Sequence, residues 1–298
     1  GEDEYGNVIA GTSSGINSWQ FTVISNMWGL KNVKWSNDLN KFLIAAGDKI
    51  YETTDGVNFS VFYYDPNVIL DDSDIATGGT DVLVVARNGV KIFSDDEGVN
   101  WTNISTEFIE SPITSMAMSD DCTKMVAVGK GPRSAGNSNI LINSGGPHEW
   151  IIPENVPQEY IDTNLISVAW AENLKTFVAV GESGAILWCS ALNSWNKSTT
   201  TISSTINFEN VVFCDGLGLF VAIGNDTSES NPNTIILISV DGKNWNELNS
   251  YYGFNSPSIA WSKKLNKFIL INLISTSLIV ISIIFLVLFC LSYQTIFH

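Results

Sequence analysis

Thr176-Phe-Val-Ala-Val-Gly181 decides the fold, because the chain writes it six times. Its other copies are Lys41-Phe-Leu-Ile-Ala-Ala-Gly47, Asp81-Val-Leu-Val-Val-Ala-Arg87, Lys124-Met-Val-Ala-Val-Gly129, Leu219-Phe-Val-Ala-Ile-Gly224 and Lys267-Phe-Ile-Leu-Ile271. Each is too short and too rich in β-branched residues for a helix, and too continuously apolar for a strand with one wet face. Each therefore reads as a strand covered on both sides. The copies recur at intervals of roughly 40–50 residues, the length of one supersecondary unit in repeat proteins.

Working outward, a second element precedes most copies: Asn32-Val-Lys-Trp35, Ser115-Met-Ala-Met118, Ser167-Val-Ala-Trp170, Asn210-Val-Val-Phe213 and Ser258-Ile-Ala-Trp261. Polar links such as Ser36-Asn-Asp-Leu-Asn-Lys41 join the two as hairpins. A third strand follows: Lys49-Ile-Tyr51, Val90-Lys-Ile-Phe93, Asn139-Ile-Leu-Ile142, Ala185-Ile-Leu-Trp188 and Thr234-Ile-Ile-Leu-Ile238. Each third strand runs into a turn closed by an aromatic: Phe59, Trp101, Trp150, Trp195 or Trp245. Four antiparallel strands per unit make one blade of a β-propeller.

The expected fold is all-β, a six-bladed β-propeller over residues 7–271. Its blades fall near 28–64, 68–106, 112–152, 164–200 and 207–249. The sixth joins 258–271 to 7–25, because residues 7–19 look like third and fourth strands without a start and 258–271 like first and second strands without an end. Sharing the closing blade between the termini would leave no exposed edges.

The turn Ser94-Asp-Asp96-Glu-Gly98-Val-Asn-Trp101 has the form S-x-D-x-G-x-x-W. It resembles the Asp-box, or BNR, repeat of the sialidase-like six-bladed propellers. Ser239-Val-Asp241-Gly242-Lys-Asn-Trp245 and Thr53-Thr-Asp55-Gly56-Val-Asn-Phe59 resemble a form one residue shorter. The role expected of these residues is structural: Asp binds turn amides, Gly takes a positive φ, and the aromatic packs between sheets. The resemblance also raises sialidase activity. As the family implies it, that chemistry grips a carboxylate with three arginines, whose planar forks bond it bidentately. The chain has two arginines, Arg87 and Arg133, so the triad cannot be assembled. A non-catalytic member is expected. The alternatives are a glycoside hydrolase-like enzyme with an acidic pair in the central channel and a structural or assembly-factor propeller.

Composition narrows the partners. Thirty-one acids stand against 15 bases, a formal net charge of −16, which repels nucleic acid. Hydrophobic residues make up 45% of the 298, enough for a large core. Two histidines and four cysteines without a C-x-x-C pair give no zinc site and no disulfide framework, and no metal or cofactor is expected. The expected partner is a protein or a glycan, bound by the loops that join fourth to first and second to third strands. Tyr63, Tyr64, Tyr160, Tyr251 and Tyr252 lie on those connections, where an amphipathic ring serves recognition or caps a sheet edge. Arg133 sits in one long loop of this set. Asp71, Asp72 and Asp74 form an acidic cluster, read either as a solvated loop or as oxygen ligands for calcium.

The C-terminal run from Leu273 to Leu291 carries no charge. Its length and apolarity predict a transmembrane helix over 272–293, anchoring the propeller to a membrane. Lys263, Lys264 and Lys267 before the span would keep the propeller cytosolic as a tail-anchored protein. Glycosylation sequons, among them those at Asn58, Asn103, Asn196 and Asn225, suggest the opposite side, but a chain this rich in Asn, Ser and Thr carries about as many by chance, so they decide nothing. The resemblance to secreted Asp-box propellers makes an extracellular or lumenal propeller the expectation.

Overall fold

The structure, a computed structural model, describes residues 8–13, 19–24, 30–36, 38–70, 73–86, 90–104, 113–130, 139–144, 150–228, 233–252, 258–262, 267–274 and 277–282. They fall into two compact units: 1–125 with 143–150, and 126–142 with 151–298.

In the first unit, β1 (Val8–Ser13) pairs only with β2 (Trp19–Ile24), antiparallel, among the described residues. Two four-stranded antiparallel sheets follow in simple up-and-down order. The first is β3 (Leu30–Ser36), β4 (Lys41–Ala46), β5 (Lys49–Thr53) and β6 (Ser60–Tyr64). The second is β7 (Asp74–Gly78), β8 (Asp81–Val85), β9 (Lys91–Ser94) and β10 (Thr102–Asn103). After them comes β11 (Ile113–Met118). Leu43, Ala45 and Ile50 of the first sheet form one cluster with Ile75, Val82, Val84 and Ile92 of the second. Each buried Leu, Ile or Val of this cluster contributes about 1.5–3 kcal/mol.

The second unit holds most of β12 (Met125–Gly129) and β13 (Ile140–Asn143), and then two more four-stranded sheets. One is β14 (Leu165–Ala171), β15 (Thr176–Gly181), β16 (Ile186–Ala191) and β17 (Ser194–Lys197). The other is β18 (Ile206–Cys214), β19 (Leu219–Asp226), β20 (Asn233–Ser239) and β21 (Asn246–Tyr252). Val178, Val180 and Ile186 of the earlier sheet pack with Val211, Phe220, Ala222 and Trp245 of the later one. The later sheet turns its other face, with Val221, Ile223 and Ile236, to Ile259 of the next.

The second strands β8, β15 and β19 are buried along almost all of their length. Each has a bonded strand on either side and an apolar layer above and below, which explains the unbroken apolar run that the sequence repeats. The glycine that closes the run has a local cause. A Cβ on Gly181 would run into the Asn164 carbonyl, and one on Gly224 into that of Asn207. At this end the first strand carries a bulge, between Leu165 and Ser167 in β14 and between Phe208 and Asn210 in β18. The bulge brings the two backbones together.

A repeated polar contact ties sheet to sheet. Asp74, at the start of β7, accepts a hydrogen bond from the Met116 amide of β11 at 2.7 Å. Ser167 Oγ, at the same place in β14, accepts one from the Val211 amide of β18 at 3.2 Å. This corrects the reading of Asp74 as part of a solvated or calcium-binding loop. It is buried, opens a strand, and spends both oxygens on backbone amides, the second being that of Ile75 at 2.8 Å. Asp71 and Asp72 lie outside the described residues.

The expected C-terminal helix is also corrected. β23 (Lys267–Ile274) continues past the predicted start of the span and pairs antiparallel with β24 (Ser277–Ser282). With β22 (Ser258–Ser262) they make a three-stranded sheet. The physical reason is composition: Ile and Val dominate the run, and Ser275-Thr-Ser277 divides it into two strand-length pieces. No helix among the described residues is long and apolar enough to cross a membrane. Residues 283–293, the rest of the expected span, lie outside the described set. β24 also holds the place beside β23 that the sequence reading gave to the N-terminal segment.

Candidate functional site

Three third-to-fourth strand turns share one hydrogen-bond scheme. The Thr53, Ser94 and Ser239 hydroxyls accept from the amides of Gly56, Gly98 and Gly242, each at 2.9 Å. Asp55, Asp96 and Asp241 use one oxygen for the amides of Asn58, Asn100 and Asn244, each at 2.8 Å. Their other oxygen takes the side-chain amide of the same asparagine, at 2.7, 2.6 and 2.8 Å. That asparagine is the member of the motif the sequence reading passed over, although it precedes the aromatic in all three turns.

These bonds favour the ionised carboxylate. The Asn58 and Val57 amides hold Asp55 well below the usual carboxylate range, and Asn100 lowers Asp96. Partial burial opposes ionisation of Asp241, but the Asn244 and Lys243 amides outweigh it and its carboxyl is lowered too.

Two of the three turns engage the neighbouring sheet. Trp101 donates its indole N–H to the Gly98 carbonyl at 2.9 Å and packs against Phe62 and Tyr63 of β6. Trp245 donates to the Gly242 carbonyl at 3.0 Å, and that carbonyl also accepts from Ser198 just beyond β17. Thr199 completes the stitch, its amide donating to the Lys243 carbonyl at 2.7 Å and its carbonyl accepting from Trp245 at 3.0 Å. Trp195 differs: its turn has no glycine, and its buried indole N–H has no acceptor among the described residues. These turns are joints, already filled by the protein's own groups.

The opposite ends of the sheets are where groups remain available. In the first unit, the connection after β6 folds back on the β4–β5 turn, with the Leu70 amide on the Gly47 carbonyl at 2.9 Å. Tyr64 is exposed there, and Lys49 sits over its ring at 4.6 Å while pairing with Asp48 at 2.9 Å. The Asp48 hydrogen bond raises the Lys49 ammonium, so it stays charged. Tyr63 points the other way, onto Trp101.

In the second unit the same end is acidic. Glu182 follows Gly181 and accepts from the Asn164 side chain at 2.9 Å, and the Ser183 amide donates to Asn207 Oδ1 at 3.0 Å. Glu209 sits on the β18 bulge, half-buried. Burial, and then the Glu182 charge, raise its carboxyl above the usual range. Asp226 accepts from Thr205 and from the Ser228 amide, and its carboxyl is lowered.

The predicted contact residues separate on this geometry. Tyr64 lies on a free surface. Tyr63 is part of a sheet joint, and Tyr160 is buried in the short 3-10 turn Gln158–Tyr160, its carbonyl accepting from Asn139 at 2.6 Å. Tyr251 and Tyr252 end β21, paired with Thr234 and Asn233. Arg133 lies outside the described residues. Glu182 and Glu209 were missed, and only the alignment of repeats could have found Glu209, as the extra residue before Asn210. No group of three or more His, Cys, Asp or Glu among the described residues is placed to hold a metal.

No protein-family model matches the chain, and no curated protein does. Solved structures do resemble it. A YCF48 bound to a D1 peptide matches at TM-score 0.59 and 12% identity, over 88% of this chain and 81% of that one. YCF48 from Cyanidioschyzon merolae matches at 0.59 and 16%, over 87% and 83%. A catalytically inactive virginiamycin B lyase from Staphylococcus aureus with quinupristin matches at 0.65 and 10%, over 89% and 84%. Together with the up-and-down four-stranded sheets, these neighbours define the class: the chain has a β-propeller fold.

Proposed function

We propose that this chain is a protein-binding propeller built on six first-and-second-strand repeats, and that it takes an extended peptide segment of its partner on the loop face. The observation that carries this is the division of labour between the two ends of the sheets. In the second unit, one end is closed by turns that stitch sheet to sheet, and the other presents Glu182, Asn207 and Glu209. One similar structure, YCF48, is bound to a peptide. Amide and carboxylate acceptors suit peptide N–H groups and basic side chains, which the charge of −16 would also attract.

The test is binding of an arrayed peptide library to the purified chain, with affinities of the hits read by fluorescence anisotropy. Glu182→Gln and Glu209→Gln should weaken a hit at least tenfold, and Asn244→Ala on the turn side should not. Loss of binding in Asn244→Ala alone, in a protein that still melts cooperatively, would place the face wrongly.

A second reading is glycan cleavage. Glu209, its carboxyl raised by burial and then by Glu182, is the group that could hold a proton for a leaving oxygen. Turnover of an oligosaccharide panel, abolished in Glu209→Gln, would replace the binding proposal.

A further inference from the structure

Asn207 holds a hydrogen-bond donor in reserve at the loop end of the second unit. Its Oδ1 accepts the Ser183 amide at 3.0 Å, and that bond lies at the surface. A backbone N–H can donate to the oxygen of a carboxamide and not to its nitrogen, so the bond also settles which end of the side chain is Nδ2. Nδ2 itself donates to no described residue. Other asparagines differ. Asn58, Asn100 and Asn244 donate theirs to the carboxylates of their own turns at 2.7, 2.6 and 2.8 Å. Asn139 donates its nitrogen to the Tyr160 and Thr163 carbonyls.

Local structure holds that carboxamide in place. The β15–β16 turn reaches the head of β18 with two successive amides, Ser183 to Asn207 and Gly184 to the Ile206 carbonyl at 2.7 Å. Ser183 at φ +57 and Gly184 at φ +71 take the left-handed pair that a two-residue hairpin turn requires. A Cβ on Gly184 would meet the Ser203 carbonyl at 3.0 Å, so glycine lets the turn lie this close. Two carboxyls flank the contact. Glu182 directly precedes Ser183, and Glu209 follows Asn207 by two residues on the bulge. Burial and then the Glu182 charge raise the Glu209 carboxyl, so the two acids stand within electrostatic reach of each other. Neither takes the Asn207 nitrogen.

We infer that Asn207 reads a main-chain carbonyl of the bound segment, beside a lysine or arginine whose cation Glu182 and Glu209 take. The assignment rests on the peptide-binding proposal and names the group that aligns the segment. Carboxylates alone select a positive charge and leave its carrier free to slide or turn. A fixed N–H adds direction, because it bonds only where a carbonyl oxygen meets it. An extended peptide supplies both groups: its carbonyls are unpaired, and its basic side chain reaches the acids. With Oδ1 anchored by Ser183, the donor is set before binding and little side-chain freedom is lost when the carbonyl arrives. An aspartate at this position would still accept from Ser183 but would turn an acceptor toward the carbonyl.

The test is a double-mutant cycle on a lysine-containing hit from the peptide array, read by fluorescence anisotropy with the full chain. Thioamide replacement of each peptide carbonyl in turn weakens one acceptor at a time. One position should lower the affinity about fivefold, the worth of one net hydrogen bond, and the same replacement should change nothing in Asn207→Ala. Asn207→Asp, which keeps the acceptor for Ser183 and with it the melting temperature, should lose at least as much affinity. Thioamide effects that are equal in the two proteins overturn the role of Asn207 and leave the peptide-binding proposal standing. Absence of any basic hit that depends on Glu182 or Glu209 overturns both. Should Asn207→Ala not melt cooperatively, Asn207→Asp takes its place in the cycle with the same expected outcomes.

Discussion

Trp195 and Trp245 close equivalent turns and are equally buried, each 3% exposed, yet only Trp245 has an acceptor for its indole N–H. Replacing each by Phe removes the same atoms, so the lost apolar contact and the small cavity are common to both variants and cancel in comparison. The hydrogen bond does not cancel. Trp245→Phe gives up a net bond of about 1 kcal/mol, while Trp195→Phe removes an unsatisfied donor whose burial costs about 1–3 kcal/mol. The Gly242 carbonyl keeps Ser198 as donor, so the loss at Trp245 stays at the low end. Trp245→Phe should therefore be the less stable of the two by about 2 kcal/mol, or roughly 5 °C in melting temperature. Far-UV circular dichroism under urea reads this without relying on the altered tryptophans. Equal midpoints, or a less stable Trp195→Phe, would refute the assignment of the two indoles.

Other outcomes follow from the same joints. Gly98 has φ +86 and a Cβ there would enter the Phe62 ring, whereas Gly218 has φ +66 and open space. Gly98→Ala should cost more than about 2 kcal/mol by denaturant titration and Gly218→Ala about 1 kcal/mol. Asp74→Ala strands the Met116 amide in the interior and should cost about 2–3 kcal/mol, with Asp74→Asn recovering part of it. Asp55, Asp96 and Asp241 have lowered carboxyls, so their contribution is complete above the ordinary Asp value near 3.9 and is lost as pH falls below it. Thermal melts should drop between about pH 4 and pH 2, and the drop should shrink in Asp241→Asn.

The second strands were the most legible part of the fold, since burial on both faces leaves an unbroken apolar run that nothing else in the chain imitates. β7 escaped notice because Asp74-Ile-Ala-Thr-Gly78 is short and its small residues follow an acidic run. Only its alignment with Asn32, Ser115, Ser167, Asn210 and Ser258 reveals that a polar residue belongs at that position. Asn58, Asn100 and Asn244 were missed for a similar reason: a motif read by Asp, Gly and Trp hides the residue whose side chain completes the carboxylate's bonds. The C-terminal run misled because length and apolarity do not distinguish a pair of strands from a span. Tyr63 and Tyr160 could not be sorted between recognition and capping, because a tyrosine beside a loop reads alike whether its ring meets water or the next sheet.

The stitch at Thr199 bears on how the chain lengthens or shortens over time. Ser198 reaches Gly242, 44 residues on, and Ser167 reaches Val211 across the same interval. A gain or loss of one whole interval restores a donor opposite every acceptor, whereas a cut within it orphans both sides. Duplication and deletion should therefore be tolerated in whole repeats, with partial ones purged as unfolded protein.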